Sequence, residues 1–391
     1  MHALPSPSHL GAGLVAVLVG FTSSAAIIFQ AAAAAGADAA QASSWLWALC
    51  LGCGLTSIGL SLYYRAPLLT AWSTPGAALL AGSLGSFSMA EAVGAFLFSA
   101  ALITLSGVTG LFARLMQRIP QALAAAMLAG VLLRFGLDLF VAGGNQPLLV
   151  GSLFAAYLLS KRLLPRYAIL VVLLLGILLA GWLDLLQLQR IELSLASPQF
   201  IAPAFSWAAL IGVGIPLFVV TMASQNLPGV AVLRGAGYLQ VPVSPLIGWT
   251  GLASLLLAPF GGFAINLAAI TAAICAGPEA GPEPQRRYWA AVCAGGCYLL
   301  IGLCGAGVAS LFAAFPEALV LAIAGLALLV TLSNSLAGAL QDVSQREPAL
   351  ITFLVTASGV SLLGVGAAFW GLVAGALASA VLNGRLNRRV G

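Results

Sequence analysis

The sequence predicts an all-α polytopic membrane protein built as a 7+7 inverted repeat. Of its 391 residues, 61% are hydrophobic and 6% charged, and the mean hydropathy is +1.09; a soluble domain carries about 25% charged residues. The apolar runs are long and rich in Ala, Leu and Gly, which suits helices and excludes the short alternating strands of a barrel. Two runs far apart in the chain also share one layout.

Fourteen apolar segments follow in order. The first half holds 10–35, 43–62, 73–83, 88–111, 119–137, 147–160 and 167–186. The second holds 206–226, 243–259, 266–277, 288–311, 316–337, 349–363 and 366–383. No Lys or Arg precedes the first run in MHALPSPSHL and no convincing cleavage site follows, so it reads as a retained span. Segments 73–83 and 266–277 (spans 3 and 10) are too short to cross about 30 Å of hydrocarbon as helices. The polar stretch around 187–205 separates a first repeat, 1–190, from a second, 200–391. Each half has an odd number of spans, so the second enters the membrane in the opposite sense, as an inverted repeat requires.

With the N-terminus on the cytoplasmic side, Arg65, Arg114, Arg118, Lys161, Arg162, Arg166, Arg234, Arg286, Arg287, Arg346, Arg385, Arg388 and Arg389 all fall inside. Arg134 and Arg190 alone fall outside, and both termini become cytoplasmic. The net charge of +5 therefore marks loop anchors at a bilayer and not a nucleic-acid partner. The six cysteines sit in apolar runs, and the two histidines, His2 and His9, lie in the N-terminal tail, so no metal site is expected.

The shared layout concerns the two short segments. RAPLLTAWSTPGAALLAG (65–82) lies over FGGFAINLAAITAAICAG (260–277) at an offset of 195, with a helix breaker near each start, Pro67 and Gly262. The same offset lays GFTSSAAIIFQ (20–30) on IPLFVVTMASQ (215–225), so Gln30 meets Gln225. Each short segment predicts a brief extended stretch and then a half-helix beginning near mid-membrane. Ser73 can cap the first, ahead of Thr74 and of Pro75, whose missing N–H costs nothing there. Asn266 is expected to cap the second; its alternative is an interhelical amide with only a packing task. Two such N-termini facing one point favour an anion.

Other polar groups join this centre. Thr22, Ser23, Ser24 and Gln30 come from the first span, and Gln225 and Asn226 from the eighth, just before Pro228-Gly229, which is expected to interrupt the helix. Neighbouring amides point about 100° apart, so one can face a substrate while the other holds the frame. Glu91 and Glu317 head the fourth and twelfth spans. Each is a proton-coupling candidate or a first-turn carboxylate satisfied by the helix dipole. No carboxylate is fixed at the centre, which favours a substrate bringing its own negative charge. Phe21, Phe29, Trp72, Phe218 and Phe263 are near enough in sequence to line an apolar pocket, suggesting a carboxylate on an aromatic or apolar body.

AWSTPGAAL (71–79), TMASQNLPGVAVLRGAGY (221–238) and GGFAINLAAITAAICAGPEA (261–280), followed by PEPQRRYWA, resemble the benzoate membrane transport protein family, the benzoate/proton symporters of bacteria. The likeness runs over essentially the whole chain. It implies the seven-plus-seven architecture of uracil and xanthine permeases and sulfate-type anion transporters. A core domain (10–112 plus 206–311) would carry an aromatic carboxylate between spans 3 and 10. A gate domain (118–190 plus 315–385) would slide against it and hold a homodimer contact. The resemblance puts Ser73 and Thr74 at span 3, Asn266 at span 10, and Gln225 and Asn226 where nucleobase permeases tend to use a glutamate. It implies a bacterial inner-membrane location and no cofactor beyond a coupling proton. One departure is Gly281, where the family commonly has a histidine.

The nearest alternative is a transporter of the same fold for another anion or a nucleobase. A membrane enzyme would need a clustered catalytic set, whereas the ten acids are scattered. Paired broken helices suit alternating access better than a channel.

Overall fold

The computed structural model describes residues 5–22, 24–110, 120–187, 195–360, 362 and 367–383. Ser23 lies outside them, as do Arg114, Arg118, Arg190, Arg385, Arg388 and Arg389. Among the described residues seven helices are long and apolar enough to cross a membrane. Their outer faces carry bare apolar side chains such as Leu105 (58% exposed) and Leu256 (65% exposed), which lipid tolerates and water does not. The chain is a multi-pass, all-α membrane protein.

The first half runs α1 (Pro7–Thr22), α2 (Ala25–Ala34), α3 (Ala39–Tyr64), strand β1 (Thr70–Trp72), α4 (Thr74–Ser83), α5 (Met89–Val108), α6 (Gln121–Asn145), α7 (Pro147–Leu163) and α8 (Ala168–Trp182). The second runs α9 (Trp207–Gly235), α10 (Val243–Leu257), strand β2 (Ile265–Leu267), α11 (Ile270–Ala276), α12 (Tyr288–Leu303), α13 (Gly305–Ala313), α14 (Glu317–Leu340), α15 (Arg346–Ala357) and α16 (Ala367–Asn383). Each long element of the first half recurs about 195 positions later, as α6 does in α14.

Helix packing obeys the same symmetry. α3 packs on α12 as α10 packs on α5; α1 lies against α11 as α9 lies against α4; α6 crosses its own counterpart, α14. Small residues make the equivalent crossings possible. A Cβ on Gly54 would meet the Gly295 carbonyl oxygen at 2.9 Å, and Gly107 of α5 abuts Gly248 of α10 just as closely. Close backbone approach is how helices gain dispersion energy in lipid, where the hydrophobic effect offers nothing.

β1 and β2 pair antiparallel, Ala71 opposite Asn266, and are buried in protein. Extended backbone at such depth needs partners from outside its own segment, and side-chain hydroxyls provide them. Thr70 N–H donates to Ser57 Oγ (3.0 Å), Leu68 N–H to Ser61 Oγ (3.1 Å) and Ile265 N–H to Ser254 Oγ (2.8 Å). Gly261, at φ 90°, turns the chain from α10 towards β2, and a Cβ there would land inside the Trp45 indole. At the far end of α11, Arg287 donates to the Ala276 and Gly281 carbonyls (2.8 and 2.9 Å).

Two expectations are corrected. Pro228-Gly229 does not interrupt α9, which runs on to Gly235. Instead π-helical turns at Leu210–Gly214 and Met222–Asn226 lie just ahead of Pro216 and Pro228. A wide turn accommodates a ring that offers no N–H and clashes with the preceding turn. The apolar run 288–311 is not one straight span either, since α12 and α13 meet at a 67° bend at Cys304 between Gly302 and Gly305.

Candidate functional site

A cavity of about 1180 Å³ lies where α4, α9 and α11 meet α6, α8 and α14. Its wall comes from one half of each peripheral helix: Gln121–Leu128 at the start of α6, Tyr157 and Lys161 towards the end of α7, Ala168–Leu170 at the start of α8, and Leu326 onwards in α14. All four halves border the same cavity and so lie at one end of the bundle. The cavity therefore opens towards the face bearing Lys161 and Asp342, the only charged residues among its described lining. Its deep end is neutral.

The deep end is built from broken segments. Ser73 Oγ accepts the Gly76 N–H (3.0 Å) and starts α4, as its position before Thr74-Pro75 predicts; Ser73 is fully buried, and Thr74 reaches the cavity wall. Trp72, the last residue of β1, also lines the wall. Its Nε1–H donates to Ser24 Oγ (2.8 Å), and Phe21 packs edge-on against it at 6.1 Å.

The adjacent amides of α9 divide their work. Gln225 lines the cavity and is half-buried. Asn226 is wholly buried; its Oδ1 accepts the Leu267 N–H of β2 at 3.0 Å and its Nδ2 donates to Met222 Sδ. The π turn at 222–226 sets both directions.

Asn266 does not cap the second broken segment. It sits inside β2, while α11 begins after Ala269 with no side-chain cap. Its amide, oriented to satisfy both ends, accepts the Ser73 N–H (2.9 Å) and donates to the Leu267 carbonyl (3.0 Å). A strand residue cannot reach back over a helix that starts four positions later.

The remaining candidates lie elsewhere. Gln30 is half-buried in α2, off the cavity, with its Nε2 buried and unpartnered among the described residues. Glu91 completes a capping box, accepting from the Ser88 N–H (3.0 Å) and hydroxyl (2.8 Å), and Glu317 is exposed in the first turn of α14. Neither faces the cavity. Of the five aromatic rings expected around a pocket, Trp72 alone lines it. Phe29 packs on Phe312, Phe263 joins Trp45 and Phe96, and Phe218 is buried among other side chains. Thr271 and Tyr298 line the wall although no local motif singles them out.

A cavity ending at a ladder between corresponding segments of two symmetrically packed halves marks a secondary active transporter. The chain belongs to the benzoate membrane transport protein family, which it matches over residues 3–381. It is 49% identical over 383 residues to the inner membrane protein YdcO of Escherichia coli K12, covering 98% of this chain and 97% of that one. It is 42% identical over 371 residues to the benzoate membrane transport protein of Acinetobacter baylyi, covering 95% and 94%. The fold is that of the transmembrane domain of the cyanobacterial bicarbonate transporter BicA, with TM-score 0.57 and 15% identity over 96% of each chain. Family membership makes the protein a transporter and not an enzyme.

Proposed function

We propose that the protein imports benzoate or a closely related aromatic carboxylate together with protons, by alternating access across the bacterial inner membrane with both termini cytoplasmic. One observation carries the reading: a chain of this family holds a neutral cavity end lined by an indole, an amide and a hydroxyl, from Trp72, Gln225 and Thr74. Neutral donors suit an anion that must be released again, and an aromatic edge suits its ring.

In this proposal the chain has fourteen spans in a 7+7 inverted repeat, with α4 and α11 as the half-helices of spans 3 and 10. A core domain (10–112 plus 206–311) moves against a gate domain (118–190 plus 315–385), which also offers a homodimer contact. The cavity's opening on the Lys161 face supports a cytoplasm-open state. Thr74 and Gln225 touch substrate; Ser73, Asn226 and Asn266 hold the backbone that presents it. Ser23 and Gln30 of the first span serve the same substrate when the opposite face is open. Glu91 and Glu317 are the two candidates for the coupling carboxylate, at the outer ends of their helices, where an importer takes up its proton.

The test is uptake of radiolabelled benzoate into proteoliposomes with and without an inward proton gradient at matched external pH. Leak must be subtracted, since undissociated benzoic acid crosses lipid unaided. Accumulation above the leak that collapses with the gradient is the expected result. Flux indistinguishable from the leak overturns the substrate assignment.

A further inference from the structure

Where α1, α11 and α12 meet, two hydroxyl-bearing side chains, Tyr298 and Thr271, line the cavity, 1% and 7% exposed as residues. Neither hydroxyl is bonded to another described residue, and neither is sealed within the protein, so both are open to whatever fills the cavity. Both side chains close on Gly20 of α1. A Cβ at Gly20 would stand 3.4 Å from the Tyr298 hydroxyl oxygen and 3.1 Å from the Thr271 methyl carbon. Glycine is thus the residue that leaves this corner open. The Tyr298 ring is held edge-on by Trp72 at 5.6 Å, and Trp72 is itself anchored on Ser24. The phenol is therefore held in place before any ligand arrives.

We propose that Tyr298 and Thr271 form the subsite for the carboxylate of the aromatic substrate, with Gly20 providing the space. This rests on the reading of the protein as an aromatic-carboxylate transporter. The two hydroxyls donate to the carboxylate oxygens, and the substrate ring lies towards Trp72. With no cation in the corner, specificity for a carboxylate over a neutral amide comes from the number and direction of donors.

The experiment is calorimetric titration of benzoate, and of benzamide as the neutral isostere, into the purified protein in lipid nanodiscs. Wild type is compared with Tyr298→Phe, Thr271→Val and Gly20→Val, and each melting temperature is recorded. Tyr298→Phe keeps the ring on Trp72 and removes only the hydroxyl. Loss of a hydrogen bond to a charged group predicts benzoate binding weakened about tenfold or more, with benzamide affected less. Gly20→Val should weaken both ligands by filling the corner. If wild type binds benzoate and the three variants bind it equally well, the subsite is overturned while the transport reading stands. Absence of benzoate binding by wild type overturns both. Should Tyr298→Phe fail to fold, Gly20→Val decides: weakened binding at an unchanged melting temperature supports the subsite, and unchanged binding overturns it.

Discussion

Ala71 and Asn266 face each other across the β1–β2 ladder, and they are also the pair that the 195-residue offset superposes. The ladder sets Thr70 against Leu267 and Trp72 against Ile265, whereas the offset matches Thr70 with Ile265 and Trp72 with Leu267. Only the central pair satisfies both relations, so the two halves are related about this point. Chemistry breaks the symmetry there. One half contributes a methyl group and the other an amide that serves Ser73 and Leu267 together.

Asn266→Ala should therefore loosen the junction between β1 and β2. It removes the side-chain donor from the Leu267 carbonyl inside a dry core, at a cost of about 1–3 kcal/mol for a group left unpaired, while the Ser73 N–H keeps the Ala264 carbonyl at 2.9 Å. A lowered melting temperature and at least tenfold slower benzoate uptake are expected. Wild-type values for both would deny the amide its bridging role.

The neighbouring amides of α9 should separate cleanly. Asn226→Ala strands the Leu267 N–H and should lose about 1–3 kcal/mol of stability. Gln225→Ala, on the cavity wall, should change stability by less than about 0.5 kcal/mol and act on benzoate affinity. Thermal melts alongside uptake kinetics distinguish the two.

Gly261→Ala should be among the most harmful single methyl additions. A left-handed φ of 90° strains any Cβ, and the Trp45 ring occupies its place. Strain and overpacking together predict a loss of roughly 2–4 kcal/mol, read as poor yield of folded protein. A Gly261→Ala protein with normal yield and melting would show that Trp45 can move aside.

Cysteines placed at Asn334 and Gln341, on the cavity side of α14, report which face is open. In a Cys304→Ser background, a membrane-impermeant thiol reagent should label them in inside-out vesicles and not in right-side-out ones. Labelling from the opposite side only would reverse the orientation.

Glu91→Gln tests coupling without disturbing the fold, because glutamine at this position can also complete a capping box. The melting temperature should hold within about 0.5 kcal/mol of equivalent stability. A coupling role then appears as benzoate exchange that survives while gradient-driven accumulation is lost. Retained accumulation removes Glu91 and leaves Glu317 for the same substitution.

Local chemistry made much of the architecture readable. Ser73-Thr74-Pro75-Gly76 starts a helix wherever it stands, because a hydroxyl cap and a proline in the first turn satisfy local needs. The aromatic rings show the opposite. Phe263 lies inside a broken segment and Phe29 in the polar stretch of the first span, yet they face the Trp45–Phe96 pair and Phe312, because helix rotation and not chain distance sets direction. Tyr298, eight positions beyond the last motif residue, Ala290, reaches the cavity because α12 crosses behind Trp72.

The sequence by itself determined that this chain spans a membrane repeatedly and that its halves correspond at a 195-residue offset. Composition, charge placement and backbone preference act locally or along the chain, so they survive without coordinates. Only the tertiary structure decided that Asn266 bridges strands instead of capping a helix, that Gln225 and Asn226 split their tasks at a π turn, and that the cavity opens on one face. Those outcomes depend on how helices rotate and cross, and in lipid that is set by the packing of small residues between distant segments.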